Sequence, residues 1–369
     1  LAYVVFAILS VAEVDRGFML LSGLGAIFAT LLHHVYLAHH RGSSMLTHRV
    51  LVFGVGEESE AVSKVLRKSD PDIQIVGFYP SVGETDFAVP PQAVLSRKMS
   101  LSDTAHSLKV DEIIVAVRER RGGVLPLREL LDCKLSGVRV LDLASYFERA
   151  LGQIRLDSLR VGWLIFGEGF RQSWRRATVK RLFDIVLALF MFVLTLPVMV
   201  LTAFLIVLES GCPVFYRQER VGLDGRLFKV VKFRSMRTDA EGDGKPRWAS
   251  ADDDRVTRVG RFIRKVRIDE LPQLYNVLVG DMSLVGPRPE RPYFVDKLTR
   301  DIPFYAVRHS VKPGVTGWAQ VSYPYGATVD DSIQKLQYDL FYVKNHTLFL
   351  DILILFQTVG VVLTGKGAR

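Results

Sequence analysis

Cysteine is scarce in this sequence, which has only Cys133 and Cys212 among its 369 residues. The two lie far apart and in no spacing that would bind a metal ion. Their scarcity indicates a reducing, cytoplasmic environment for the soluble parts of the chain. The sequence also lacks a nucleic-acid-binding motif, so nucleic acid, the alternative partner for a basic chain, is not expected.

Apolar and basic residues, by contrast, are abundant. Hydrophobic residues make up 49% of the chain, and its formal net charge is +9. This combination favours an anionic membrane surface or a phosphate-rich ligand as the partner. The length also exceeds that of one typical core, so two or three structural units are expected.

Residues 1–40 predict a membrane anchor. The apolar run 17–38 is long enough to span, since about 20 residues cross the hydrocarbon core. Acidic residues precede this run and basic residues follow it, so the positive-inside rule places the next region in the cytoplasm. Because Leu1 falls within an apolar run, we expect the sequence to begin inside a membrane segment. Four histidines follow the run without the ordered spacing of a metal site, and interfacial histidines are the commoner alternative: His33, His34, His39 and His40.

Strands and helices alternate from residue 47 to residue 165, which predicts a Rossmann-like domain with a parallel sheet. The turn after the first strand, Gly54-x-Gly56-x-x-Ser59, lacks the third glycine of the dinucleotide fingerprint. No clear acidic residue ends the second strand, so a structural or regulatory role is favoured over a working cofactor site. Strands are predicted at 49–53, 73–78, 112–117 and 138–141, with a helix at 58–68.

A second long apolar run covers residues 182–208, with Pro197 near its middle. Basic residues flank both ends, and the positive-inside rule is then satisfied only if both ends are cytoplasmic. Proline removes a backbone donor and clashes with the preceding turn, which favours a bend. We therefore predict a re-entrant helix that enters one leaflet and returns. A kinked spanning helix is the alternative.

Two strands are predicted after this run, at 213–220 and 227–236, with Asp224-Gly225 as the hairpin turn between them. Lys232 and Arg234 would lie on one face of the second strand, where they could grip phosphate oxygens. A solvated basic face is the alternative interpretation.

An amphipathic pattern and an acidic pair come next. Apolar residues recur at helical spacing over 259–266 among basic residues, which predicts a helix that lies in the membrane interface or against the core. This helix is expected to end at Ile268, and Asp269-Glu270-Leu271-Pro272 to open another. A carboxylate at that place lies near the positive end of the helix dipole, as would a phosphate. Capping alone would explain Asp269 but not Glu270, although glutamate is also favoured in first turns.

Proline-rich turns follow the acidic pair. Pro287 and Pro289 flank Arg288, and they fix the backbone around it so that its guanidinium is held at a set angle. Residues 312–320 form another stretch rich in turn residues.

Five ordered motifs resemble those of the bacterial sugar transferase family, the monotopic polyprenyl-phosphate phosphoglycosyl transferases. The resemblance extends from about Lys180 to the C-terminus. Membrane helices before a Rossmann-like domain resemble the long form of this family, seen in exopolysaccharide priming enzymes, although that form usually has more membrane helices. The motifs are Gln218-x-Arg220-x-Gly222, Lys232-Phe233-Arg234-Ser235-Met236, Asp269-Glu270-Leu271-Pro272, Gly286-Pro287-Arg288-Pro289 and Lys312-Pro313-Gly314-Val315-Thr316-Gly317-Trp318.

The resemblance implies roles for individual residues. Asp269 would be the nucleophile and Glu270 its partner, with both at a magnesium ion. The re-entrant helix would carry the membrane and polyprenyl residues Lys180, Arg181, Asp184 and Pro197. In this helix Thr195 is separated from Pro197 by Leu196, a departure from the family pattern. Substrate binding would fall to Lys232, Arg234, Arg264, the nucleotide-contacting turn Pro287-Arg288-Pro289, and Asp339 of the motif Tyr338-Asp339-x-x-Tyr342.

The expected fold is a membrane-anchored α/β protein. It comprises a transmembrane segment at 1–40, a Rossmann-like regulatory domain of the CoA- or nucleotide-binding type at 47–165, and a mostly helical catalytic domain at 173–369 with a re-entrant helix at 182–208. We expect a bacterial inner-membrane enzyme whose catalytic domain faces the cytoplasm and which can form a homodimer.

The expected reaction is the transfer of a hexose-1-phosphate from a UDP-sugar to undecaprenyl phosphate, with release of UMP and Mg²⁺ as cofactor. A covalent phosphosugar on an aspartate would be the intermediate. Two alternatives from other functional classes are a non-catalytic nucleotide-sensing membrane scaffold and a nucleotide-sugar pyrophosphatase without a lipid acceptor.

Overall fold

The computed structural model describes Gly25 and residues 47–69, 73–84, 87–117, 125–156, 159, 169–170, 173–237, 255–324, 326 and 328–364. Apart from Gly25, the predicted transmembrane segment at 1–40 lies outside these residues, as do the four clustered histidines. The chain divides into two compact units, Leu1–Leu143 and Ala144–Arg369.

The first unit contains the predicted parallel sheet. Its strands are β1 (His48–Phe53), β2 (Ile73–Tyr79), β3 (Glu112–Val115) and β4 (Arg139–Asp142), in the order β2-β1-β3-β4. The strands read as nearly continuous apolar runs because such a sheet is covered on both faces, and Leu51 and Ile113 are fully buried. The helices are α1 (Glu57–Ser69), α2 (Leu101–Ser107) and α3 (Leu127–Leu135).

The glycine turn that precedes α1 is occupied by a side chain of the same unit. The backbone amides of Gly56 and Ser81 donate hydrogen bonds to the two carboxylate oxygens of Glu84, at 3.0 and 3.2 Å. In a dinucleotide site, the amides of such a turn and the following helix terminus bind the pyrophosphate. An internal carboxylate at this place agrees with the structural or regulatory interpretation of the domain.

The second unit is mostly helical, as predicted. Its strands are β5 (Phe215–Val221), β6 (Leu227–Phe233), β7 (Ser283–Val285) and β8 (Gly314–Thr316). β5 and β6 form the predicted antiparallel hairpin, and β7 and β8 form a parallel pair. The helices are α4 (Leu143–Leu151), α5 (Trp174–Ser210), α6 (Arg258–Lys265), α7 (Gln273–Val279), α8 (Pro292–Asp301), α9 (Trp318–Ser322), α10 (Val329–Asn345) and α11 (Leu348–Thr364).

One predicted helix start is wrong. The helix expected to open at Asp269 is α7, which begins at Gln273 after Pro272. Arg267 adopts a left-handed conformation with φ 61°, and Ile268–Glu270 forms a 3-10 turn. The left-handed residue ends the preceding helical segment, so the acidic pair lies on a tight turn between two helices.

α5 contains the whole predicted run 182–208. Within the described part of the chain it is the one helix whose length and composition would allow it to cross a membrane. It has 37 residues, about 55 Å if straight. Before Pro197, Ala188 packs in the cluster of Val277 and Leu284. After Pro197, Met199 and Ile206 pack with Phe233 and Ile263. Both halves of α5 therefore pack against the second unit.

Candidate active site

The acidic pair lies on the 3-10 turn Ile268–Glu270, and its flanking elements are firmly held. The N-cap of α6, Thr257, accepts a hydrogen bond from the Gly260 amide at 2.9 Å. Gly260 itself lies so close to the Ser235 carbonyl that an added Cβ would overlap it. Because α6 is fixed in this way, the turn that follows it presents its two carboxylates at a defined place.

Glu270 is buried, and cationic side chains surround it. Its Oε1 atom lies 2.9 Å from Nη2 of Arg288, 3.2 Å from Nζ of Lys232 and 3.9 Å from Nη1 of Arg267. Burial alone would raise the pKa of Glu270, but these cations hold it well below its usual range. Glu270 is thus an ionised group that fixes three positive charges around the turn.

The pKa of Asp269 is shifted in the opposite direction to that of Glu270. Burial, together with the adjacent Glu270 charge, raises the pKa of Asp269 to about 6. Its Oδ1 atom is buried and has no hydrogen-bond partner among the described residues. Capping does not account for Asp269, because the N-cap of α7 is Pro272 and no side chain caps that helix. A buried carboxylate oxygen without a partner is costly in free energy, which points to a functional role.

The two residues predicted to bind phosphate, Lys232 and Arg234, contact different parts of the second unit. Lys232 reaches Glu270, and burial lowers the pKa of Lys232 although that carboxylate opposes the shift. Arg234 lies beyond the end of β6 and donates from Nη2 to the Ser210 and Gly211 carbonyls, at 2.9 and 2.6 Å. Its Nε and Nη1 atoms are buried without a partner among the described residues. Lys232 therefore contacts the acidic pair through Glu270, whereas Arg234 holds the C-terminal end of α5.

The Pro287-Arg288-Pro289 turn is fixed by two other motifs. The Pro287 carbonyl accepts a hydrogen bond from the Gly314 amide at 3.0 Å. The Pro289 carbonyl accepts one from Nη1 of Arg220 at 3.1 Å. A Cβ on Gly286 would overlap the Lys312 carbonyl, so glycine is needed where these chains cross. The turn that aims Arg288 at Glu270 is therefore built from three separate motifs.

Arg308 completes this support, and no sequence pattern singled it out among the 48 Lys and Arg residues. Its Nη2 donates to the Arg288 carbonyl at 2.9 Å and to Oδ2 of Asp339 at 2.7 Å. Its Nε donates to the same Asp339 oxygen at 3.0 Å, and its Nη1 donates to the Tyr305 hydroxyl at 3.1 Å. Arg308 is 5% exposed and Asp339 is 2% exposed. In the structure Asp339 contacts the residue that holds Arg288.

The predicted membrane residues anchor the first turns of α5. Arg181 donates to the Val277 and Leu278 carbonyls at the end of α7, at 2.5 and 2.7 Å. Lys180 forms ion pairs with Asp184 at 2.7 Å and with Asp351 at 3.1 Å. Because α7 follows the acidic pair directly, the N-terminal end of α5 is tied to the helix that carries the site.

The carboxylates of the acidic pair are chemically suited to bind Mg²⁺. No group of three or more His, Cys, Asp or Glu side chains is arranged for a metal in the described part of the chain. Mg²⁺, however, is often held by one or two carboxylates and completes its shell with water and substrate phosphates. The unpartnered Oδ1 of Asp269 would serve as such a carboxylate ligand.

Arg264, the remaining predicted substrate residue, is half-buried in the last turn of α6.

Comparisons with known proteins find relatives that match large parts of this chain. A UDP-N-acetylgalactosamine-undecaprenyl-phosphate N-acetylgalactosaminephosphotransferase of Aeromonas hydrophila is 47% identical over 242 residues, which cover 66% of this chain and 56% of the relative. The chain thus spans about half the length of that protein. A UDP-glucose:undecaprenyl-phosphate glucose-1-phosphate transferase of Xanthomonas campestris pv. campestris is 31% identical over 372 residues, covering 96% of this chain and 76% of the relative.

Another relative is matched over most of its own length. The uncharacterized sugar transferase EpsL of Bacillus subtilis (strain 168) is 43% identical over 195 residues, which cover 52% of this chain and 90% of that protein. The profile of the family described as bacterial sugar transferase matches residues 175–365. On these grounds the chain belongs to the bacterial sugar transferase family.

Proposed function

We propose that this chain transfers a hexose-1-phosphate from a UDP-sugar to undecaprenyl phosphate and releases UMP. The observation that carries the proposal is the buried, unpartnered Oδ1 of Asp269 beside a Glu270 that cations keep ionised. The names of two relatives, which include a nucleotide-sugar donor and undecaprenyl phosphate, give it further support. Both substrates are polyanionic, in keeping with the positive side chains around the acidic pair.

Asp269 acts as a nucleophile in this proposal, not as a general base. The polyprenyl phosphate acceptor has a second pKa of about 6, as other phosphate monoesters do, so it is already largely ionised at neutral pH. A base that removes its proton would therefore contribute little to the rate. The difficulty is to bring one anion against another, and a covalent intermediate divides this problem into two steps.

In the first step an Asp269 carboxylate oxygen forms a bond to the β-phosphorus of the donor, and the bond from that phosphorus to the UMP oxygen breaks. Lys232 and Arg288 offset the charge that develops on the phosphate oxygens. Glu270 keeps both cations charged and aimed, since its Oε1 lies within 3.2 Å of each. In the second step an oxygen of the lipid phosphate attacks the same phosphorus and releases Asp269. Asp269 and Glu270 would hold Mg²⁺, which neutralises the diphosphate when it is bound.

The decisive experiment omits the lipid acceptor. With UDP-sugar alone, the covalent mechanism predicts one UMP per enzyme and a labelled phosphosugar retained on the protein. Asp269→Asn should abolish the UMP burst, the adduct and turnover, whereas Asp296→Asn, at an exposed position of α8, should change none of them. Full turnover without lipid would support the pyrophosphatase, and no UMP under any condition would support the scaffold. Initial rates that require both substrates before UMP appears would refute the covalent step.

We also propose that α5 is re-entrant, so that the second unit remains on the cytoplasmic face of the bacterial inner membrane. Support comes from the two ends of the helix. Arg181, near the N-terminal end of α5, donates hydrogen bonds to α7. At the C-terminal end, the Ser210 carbonyl accepts a hydrogen bond from Arg234, the residue that follows β6. Glu209, in the last turn, accepts hydrogen bonds from the Arg258 and Val259 amides at 2.8 and 3.0 Å. A helix with both ends tied to one compact unit returns to the side from which it entered.

A further inference from the structure

The outward face of α11 is apolar along most of its length. Phe349 is 78% exposed and Phe356 is 74% exposed. Ile352, Leu353 and Val359 are exposed on the same helix. Together these five side chains, the outer face of α11, form a stripe at helical spacing. The helix sequence from residue 348 to residue 364 contains a single charged residue, Asp351.

That charge is turned away from the outer face. Asp351 is buried, pairs with Lys180 of α5 at 3.1 Å and accepts a hydrogen bond from the Tyr342 hydroxyl at 2.7 Å. One turn later Ile354 is buried, and Thr358 bonds the Thr316 hydroxyl of β8 at 2.7 Å. Residues 351, 354 and 358 share the inner face of the helix. α11 is therefore packed along its length against the second unit, with its outer face unpartnered in the described part of the chain.

The surface next to this face indicates what covers it. Ile354 belongs to the same core cluster as Ala188 of α5, and Phe190 and Val193 of α5 are exposed. α5 and α11 contact each other through the Lys180–Asp351 ion pair, and both helices expose apolar side chains. A soluble surface rarely exposes so much contiguous apolar area, and the charged residues that usually rim a protein–protein interface are missing from the helix itself. In the sequence, basic Lys366 and Arg369 follow directly, where they suit anionic lipid head groups.

We propose that α11 lies flat in the membrane interface, with its outer face in the acyl chains beside the N-terminal half of α5. This inference rests on the proposed entry of α5 into the membrane, and it adds a second lipid-contacting element. The inner face stays bonded to β8 and α10, so α11 does not leave the second unit when it contacts lipid. An interfacial helix of this kind fixes the depth at which the acidic pair stands above the bilayer.

Nitroxide labels on single cysteines test the proposal in the full chain, reconstituted in nanodiscs of phosphatidylcholine and phosphatidylglycerol. Exposed Cys212 is replaced by serine, while Cys133 is buried and remains. Phe349→Cys and Phe356→Cys report on α11, and Val193→Cys reports on α5. Leu135→Cys, at an exposed position of α3, is the control in water. Retained transferase activity shows that each labelled chain is folded.

We expect the ratio of oxygen to nickel-chelate accessibility at both α11 positions to match that of Val193→Cys and to exceed that of Leu135→Cys several-fold. Water-like ratios at α11 with a lipid-like ratio at α5 would overturn this inference alone. A water-like ratio at Val193→Cys would overturn the proposed placement of α5 as well. Low accessibility to both reagents at α11, with dipolar broadening between labels, would assign the face to a second copy of the chain and would also overturn the proposal. None of these outcomes bears on the covalent chemistry.

Discussion

Arg308 should control catalysis although it lies behind the site, because it holds the backbone of Arg288. The informative perturbation is Arg308→Lys. Lysine keeps a positive charge opposite Asp339, but its nitrogen stands one bond closer to the backbone than Nη2 and cannot reach both Asp339 and the Arg288 carbonyl as Nη2 does. Nη2 makes both bonds at short distances, 2.7 Å to the carboxylate and 2.9 Å to the carbonyl. The variant thus removes the bond to the Arg288 carbonyl, together with the bond to the Tyr305 hydroxyl, and leaves the buried charges balanced.

The magnitude follows from the lost bond to the Arg288 carbonyl. A hydrogen bond from a charged donor contributes about 1.5–3 kcal/mol. If this free energy is used to hold Arg288 against Glu270, its loss lowers kcat/KM for the nucleotide-sugar by about 10- to 150-fold. Asp339→Asn should behave differently. It leaves Arg308 buried with its charge unpaired, which lowers the free energy of unfolding by about 3–5 kcal/mol.

The assay measures kcat and KM for each substrate separately, together with urea unfolding of the same preparations. A positioning role predicts a fall in kcat/KM for the donor and little change in KM for the lipid. Arg300→Lys, at an exposed position of α8, is the matched control. The reasoning is refuted if Arg308→Lys loses stability while the folded fraction keeps its full kcat/KM, because the bond to Arg288 would then be structural only.

Three further predictions concern pH, topology and the first unit. Since Asp269 must be ionised to attack, and its pKa is raised to about 6, kcat/KM should rise with pH up to about 6 and then level off. Between the ordinary aspartate pKa of about 4 and a pKa of about 6, the folded state binds more protons than the unfolded state, so the free energy of unfolding falls as pH rises. Asp269→Asn removes this penalty and should therefore raise the free energy of unfolding at pH 7 by about 1–3 kcal/mol. Cysteines placed just outside each end of the run 182–208 should both be labelled only from the cytoplasm, and labelling of one from the periplasm would restore the spanning helix. A chain that begins at Ser173 should keep transferase activity but unfold more easily than one that begins at Ala144, because it lacks Ile154, whose burial contributes about 1.5–3 kcal/mol to stability. Inactivity of the well-folded longer chain would show that the first unit is needed.

The parallel sheet and the long apolar helix could be predicted because each depends on a local pattern. A strand buried on both faces must be apolar throughout, so the runs near Val52 and Ile114 were visible without any knowledge of their neighbours. Strand ends were predicted less accurately: the strand predicted at 112–117 stops at Val115. The wrong start of α7 has a clear cause. Arg267 adopts a left-handed conformation without the glycine or asparagine that usually announces it.

The pairing of charges within the site could not be predicted in the same way. Lys232 and Arg234 are two residues apart, and the alternation of a strand would put both on one face. β6 ends at Phe233, so the alternation stops and Arg234 turns towards the end of α5. No local sequence pattern marks the residue at which β6 ends. The direction of Arg234 depends instead on the distant Gly211 carbonyl, to which it donates a hydrogen bond.

Asp339 shows why a motif alone does not separate a residue that binds substrate from one that supports it. In either role the carboxylate accepts hydrogen bonds, and its removal leaves donors without an acceptor. The structure makes the distinction through burial and through the identity of the cation. Asp339 is 2% exposed, and its partner is Arg308, which bonds the Arg288 backbone. From that geometry we expect Asp339 to act on the reaction through Arg308, so a change at Asp339 should lower stability first and turnover only as a consequence.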